Sequence, residues 1–177
     1  MKKFLIQTMA KKVDSNKIKL ELMKYWRYDR GYTFACTECI NKSDITAIND
    51  KHLIEVEVKI SKSDFLKEFD GSSKNKTRKH SIYQHKRKPT KSFICPNFYY
   101  FCVTPDIQTF VIEYLKDKYK NYGILVCEPY RLYGQKSCIR VAKKATKIHN
   151  TPPTLDTFYK IGKRVQSELI NLKEKHS

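Results

Sequence analysis

The sequence predicts an α/β domain in which a mixed β-sheet carries helices on both faces. Three observations predict it. The periodic segments run α-β-β-β-α-β-α-β-(β)-α, which interleaves helices with strands. Phe98–Val103 and Gly123–Cys127 are unbroken apolar runs of strand length, as expected of strands covered on both sides. Within His52–Ile60, Ile54, Val56, Val58 and Ile60 on one side alternate with Glu55, Glu57 and Lys59 on the other.

Each element has its own signal. Asp14 or Ser15 caps a helix running to Arg27, with Ile18, Leu22 and Tyr25 or Trp26 inward. Glu21 falls in that inward stripe, either at its margin or aimed at a site. Gly31–Ile40 reads as a strand. A break at Asn41-Lys42-Ser43 leads to a second strand, Asp44–Ile48, and Asn49-Asp50-Lys51 turns into the third. Ser63 caps a short helix through Phe65, Leu66 and Phe69. The segment 71–92 reads as a mobile basic loop in which His80–His85 can form a turn or two of helix. After Phe98–Val103, Thr104-Pro105-Asp106 opens a helix with proline in its first turn, turning Ile107, Phe110, Val111, Tyr114 and Leu115 inward. Ile139–Ala142 follows Gly123–Cys127 as an edge strand. A terminal helix from Thr154 turns Leu155, Phe158, Val165 and Leu169 inward. No internal repeat is visible.

A chain of 177 residues suits one domain, 1–177. No apolar run approaches the ~20 residues of a membrane span. Phe4–Ala10 is short and interrupted by Gln7 and Thr8, a poor signal peptide, so a cytoplasmic protein without a membrane partner is expected.

Charge points to the partner. Thirty-six Lys and Arg face 18 Asp and Glu, for a net charge of +18. Such an excess opposes compaction, and a polyanion accounts for it, because phosphate contacts release counterions. The basic residues do not follow a long amphipathic helix, so nucleic acid fits better than a membrane surface. The excess is concentrated in Lys74, Lys76, Arg78, Lys79, Lys86, Arg87, Lys88 and Lys91, a run without an acid. A loop of this composition orders on a phosphate backbone.

The six cysteines do not make a disulfide scaffold in a chain long enough for a core. Cys36 and Cys39 form a Cys-x-x-Cys, but no second short pair completes a zinc site, and no zinc is expected. As strand residues three apart, they are expected on opposite faces. His80, His85 and His149 have no nucleophile to activate.

The chemistry lies in Asp44 and in Glu57-Val58-Lys59. Glu57 and Lys59 share a strand face, and the turn between the second and third strands brings Asp44 toward Glu57. Two carboxylates beside an ammonium form a hard-cation site suited to Mg²⁺. Such a cation lowers the pKa of a bound water and neutralises a phosphate, while the lysine holds the water.

Asp44, a twelve-residue spacer and Glu57-x-Lys59, in helix-strand-strand-strand-helix order, resemble the PD-(D/E)XK nuclease superfamily. Ser43–Ala47 together with Ile54–Phe65, whose Glu-x-Lys strand is followed by Ser61-x-x-Asp64-Phe65, is similar to the MmcB-like branch, described as a DNA-repair family. That branch continues with an Asp … Lys-x-x-x-Tyr stretch, whose places Asp70, Lys79 and Tyr83 can fill. Pro96–Asp106 and Tyr122–Val126 match its later strands. The resemblance spans roughly residues 14–150. Ser43 stands where many members have proline.

The resemblance implies a restriction-endonuclease-like fold and metal-dependent phosphodiester cleavage leaving a 5′-phosphate. Asp44, Glu57 and the carbonyl of Val58 would hold Mg²⁺, with Mn²⁺ as an alternative, and Lys59 would orient the water. Glu21 on the first helix is the favoured extra acid, with Glu38 as the other. Lys74, Lys76, Arg78, Lys79, Lys86, Arg87, Lys88 and Tyr83 would contact nucleic acid, with DNA expected. Enzymes of this fold often act as dimers, which leaves a homodimer open. Two other readings stand beside the nuclease: a basic nucleic-acid-binding module that keeps the fold without cutting, and a basic structural or ribosome-associated protein.

Overall fold

An alternating strand with one aliphatic and one charged side needs a different cover on each face, and the fold provides both. A computed structural model describes residues 14–90, 92–131 and 133–175; Phe4–Ala10 and Lys91 lie outside the described residues. The chain runs α1 (Ser15–Lys24), β1 (Phe34–Thr37), β2 (Ile45–Ile48), β3 (Leu53–Lys59), α2 (Lys62–Leu66), α3 (Lys74–Tyr83), β4 (Phe98–Val103), α4 (Gln108–Leu115), β5 (Gly123–Cys127), β6 (Ile139–Lys143) and α5 (Leu155–Glu174). The strands form one six-stranded sheet in sequential order. β3–β4 and β4–β5 are parallel and the other pairs antiparallel. Each parallel step is bridged by helices, as such a crossover requires.

Helix α1 and the helical turn that follows it, Tyr25–Asp29, cover one face. Ile18, Leu22, Tyr25 and Trp26 pack on Ile54, Val56 and Val58. On the opposite face Phe65, Ile82, Tyr83, Val111 and Leu115 pack on Tyr99, Phe101, Val103, Ile124 and Val126. Helix α5 closes the corner by setting Phe158, Ile161 and Val165 against Cys36, Ile48 and Leu53. Leu155 and Leu169, expected inward, are exposed. A 20-residue helix is about 30 Å long and overhangs the four-residue β1.

Four further expectations are corrected. The segment 71–92 is not a loop throughout: Ser73 caps α3, its hydroxyl accepting from the N–H of Lys76 at 3.4 Å. The buried side of α3 is Lys79, His80, Ile82 and Tyr83, so apolar periodicity alone misses it. Ser61, not Ser63, caps α2, accepting from the N–H of Asp64 at 3.1 Å. The first strand stops at Thr37, because Glu38 takes a left-handed backbone with φ 49°. That turn brings the Cys39 thiol back to a hydrogen bond with Cys36, raising the pKa of Cys36 and lowering that of Cys39. The two sulfurs meet instead of lying on opposite faces.

Candidate functional site

The alternation of β3 sends Glu55, Glu57 and Lys59 to one face, and that face is inside the protein. Their exposures are 0%, 9% and 5%. Three buried charges cost several kcal/mol unless partnered. Helix α3 supplies partners: Lys79 and Tyr83, one turn apart, share its inner side. Lys79 Nζ lies 2.6 Å from Glu57 Oε1, and the Tyr83 hydroxyl donates to Glu55 Oε2 at 2.6 Å. Asn41 Nδ2 donates to the other oxygen of Glu55.

Glu68, just past α2, is the hub of this face. Its side chain is fully enclosed, and its carboxylate receives Lys59 at 2.9 Å, Lys76 at 2.9 Å, Lys79 at 3.3 Å and His80 Nε2 at 3.2 Å. Burial alone would raise the pKa of Glu68, but His80, Lys79 and Lys59 outweigh it and hold the carboxyl well below the usual range. Burial would lower the pKa of Lys59 and of Lys79, but the facing carboxylates raise both, so both stay charged. For Glu57 burial wins: its pKa is raised despite Lys79, with Glu68 and Asp44 adding to the rise. Glu57 is thus a carboxylate whose charge the protein leaves partly uncompensated.

Burial pushes the pKa of Glu55 from 4.5 to about 7; Lys79, Tyr83 and Asn41 pull it down, and Glu57 pushes it up. Between those values the native chain holds a proton that the unfolded chain has lost, so stability falls as pH rises through the window. The Glu55 contribution to that fall is on the order of 3 kcal/mol. Glu55→Gln is uncharged in both states and should flatten this slope. Urea unfolding of both proteins at about pH 5 and pH 8 checks it; equal slopes would dismiss Glu55 as the source.

Asp44 completes a corner. The last β2–β3 pair is Ile45 with Val56, so one step on Asp44 comes opposite Glu57. Its Oδ2 accepts from the Val58 N–H at 2.8 Å, and its Oδ1 pairs with Lys19 of α1 at 2.8 Å. In an extended strand a residue's N–H and C=O leave by the same edge. The Val58 carbonyl therefore also points past the end of β2, toward Asp44. Asp44, Glu57 and Val58 thus share one place in the fold, with Lys59 one residue further along.

Glu21 is not part of it. It lies two residues after Lys19, about 200° around the helix, and bonds the Cys138 N–H at 2.9 Å and Lys24 at 2.7 Å. Burial would raise its pKa, but those partners hold it low. The alternative, Glu38, lies 3.4 Å from Lys19 and is exposed. Asp70 is exposed and accepts from Ser72.

Of that corner, Glu57 lines a cleft of about 450 Å³, together with Asn41, Lys42, Lys76, Arg78 and Lys79 among others. Arg78 Nη2 donates to Thr90, while its Nε is buried without a partner among the described residues. An orphaned guanidinium N–H in a lysine-lined cleft suits an anionic oxygen. Of the basic residues expected at nucleic acid, Lys74, Lys86, Arg87 and Lys88 are exposed, and Lys76 and Arg78 line the cleft. Lys79 and Tyr83 are buried and serve Glu57 and Glu55. His80 is buried too, its Nδ1 2.8 Å from the Tyr122 hydroxyl.

Two carboxylates and a carbonyl are all oxygen donors, which fits a hard dication in kind. Lys19 and Lys79 now meet those carboxylates, so a metal would have to move both ammonium groups aside. Among the described residues no group of three or more His, Cys, Asp or Glu is arranged as a metal centre.

Sequence reasoning missed Glu68, Lys19 and Asn41. Glu68 had a signal: it lies three after Phe65 and one before Phe69, on the inward side of that helical turn.

Fold and site together define an α/β protein with a six-stranded mixed sheet and a buried acid–lysine network beside a basic cleft. No helix among the described residues is long and apolar enough to cross a membrane. No protein-family model and no curated protein matches the sequence. It is similar to the solved structure of the SPO1766 protein of unknown function from Silicibacter pomeroyi. The match covers 92% of each chain at 10% identity, with a TM-score of 0.59. This likeness shows the fold alone.

Proposed function

We propose that the chain is a restriction-endonuclease-like, metal-dependent phosphodiesterase that cuts DNA, a nuclease-like DNA-processing protein. The observation that carries this reading is the Asp44 carboxylate bonded to the backbone of Val58, opposite Glu57, where Glu57 enters a cleft lined by lysine and arginine. Asp44, Glu57 and the Val58 carbonyl would hold Mg²⁺ or Mn²⁺, which supplies charge neutralisation at the phosphate and a more acidic water. Lys59 stays protonated against Glu68 and keeps N–H donors to offer a water or a phosphate oxygen. Lys42, Lys76 and Arg78 draw the DNA backbone into the cleft.

The second reading is a DNA-binding module that does not cut. It is favoured by the pairing of Lys19 with Asp44 and of Lys79 with Glu57, which sets an ammonium against each acid without a metal. Nicking of supercoiled plasmid with Mg²⁺, Mn²⁺ or EDTA separates the two. The nuclease reading expects metal-dependent nicking that falls on the order of 10³-fold in Glu57→Ala and in Lys59→Ala. DNA that is bound but left intact with either metal would leave only the module.

A further inference from the structure

A second cavity adjoins the cleft. Its volume is about 800 Å³, and Ser92 and Phe93 border both spaces. Its walls combine two chemistries. Lys86, Arg87, Lys88 and Lys160 stand on the rim against a single acid, Asp156, while Leu53, Ile82, Ile148 and Phe93 supply apolar surface. The far wall is held in place. Asn97 Nδ2 donates to the carbonyls of His149 at 3.1 Å and Thr151 at 2.9 Å, and the Asn97 carbonyl accepts from the Ile148 N–H at 2.8 Å. The cavity is therefore pre-formed, within the size range of small-ligand pockets.

Cationic rim, apolar interior and an aromatic side chain at the junction match one kind of ligand, a nucleotide with its base and its phosphate. A base inside a duplex has both faces stacked and cannot enter a pocket, whereas an unpaired base can lie on an aromatic ring. We propose that this cavity takes unpaired nucleotides of a DNA strand that crosses Phe93 from the Glu57 cleft, so that the substrate is single-stranded or carries a single-stranded branch. The inference rests on the nucleic-acid reading above and narrows it.

Binding in EDTA tests it without any cleavage. Fluorescence anisotropy would compare a labelled thymidine oligomer of about ten nucleotides with a hairpin duplex of the same length. The oligomer should bind more tightly. Phe93→Leu should weaken the oligomer by about 5- to 100-fold with little effect on the duplex, and Phe93→Tyr should retain affinity. Lys86→Glu with Arg87→Glu should weaken both ligands and flatten the salt dependence. Thermal melts confirm folding, since Phe93 also contacts Tyr83 with ring centroids 6.0 Å apart. Equal or tighter duplex binding, or an oligomer affinity indifferent to Phe93→Leu in a folded variant, would overturn the proposal. Tight oligomer binding without metal-dependent cutting would sink the nuclease reading and spare this one. Plasmid cutting that ignores Phe93, with no preference for the oligomer, would do the reverse.

Discussion

Glu68→Ala is expected to cost about 3–5 kcal/mol of folding stability, the range for breaking a buried ion pair from one side. The enclosed carboxylate answers Lys59, Lys76, Lys79 and His80 at once. Lys79 retains Glu57, but Lys59, 5% exposed, is left as a buried cation with no carboxylate in contact. Glu68→Gln keeps the shape and should lose less. The pH dependence has a definite sign. A carboxylate with a depressed folded pKa contributes fully above the unfolded value near 4.5, and that contribution is lost as pH falls through the folded value. Urea unfolding at neutral and acid pH reads both effects. A loss under about 1 kcal/mol at neutral pH would mean that the network relaxes around the gap.

Lys79→Met is expected to be similarly costly in EDTA, because the Glu57 carboxyl loses its closest cation at 2.6 Å. The pKa of Glu57, already raised by burial, should rise further. If Asp44 and Glu57 form a cation site, Mn²⁺ should recover part of the lost stability by mass action, and should do so more strongly in the variant than in the wild type. Melting temperatures with and without Mn²⁺ check this. A variant as unstable in Mn²⁺ as in EDTA would separate Glu57 from any metal role.

Much of the fold was legible because apolar alternation and caps are local signals. The switch at residues 53–59 from aliphatic to charged side chains sets the two faces of β3, and the apolar runs at 98–103 and 123–127 mark the central parallel strands. What escaped was α3. A helix read by its apolar face is invisible when the surface it covers is itself charged, and Lys79, His80 and Tyr83 look like solvent residues until Glu55, Glu57 and Glu68 stand opposite. The same blindness turned Lys79 and Tyr83 into nucleic-acid contacts. Glu21 misled for a related reason: its place in the helical stripe was right, but a stripe cannot say that Lys19 sits on the turn beside Asp44. Cys36 and Cys39 were separated by strand logic carried past Thr37, where Glu38 leaves the extended backbone.

On the reading proposed above, the Asp44–Glu57–Val58 corner accepts a divalent cation. Titration of Mn²⁺ followed by electron paramagnetic resonance reads that binding in the wild type, Asp44→Asn and Glu57→Gln. The wild type should bind an ion that excess Mg²⁺ displaces, with affinity weakened at least about tenfold in either variant while the fold persists. A folded wild type that leaves Mn²⁺ free, or binding that survives both substitutions, would contradict it.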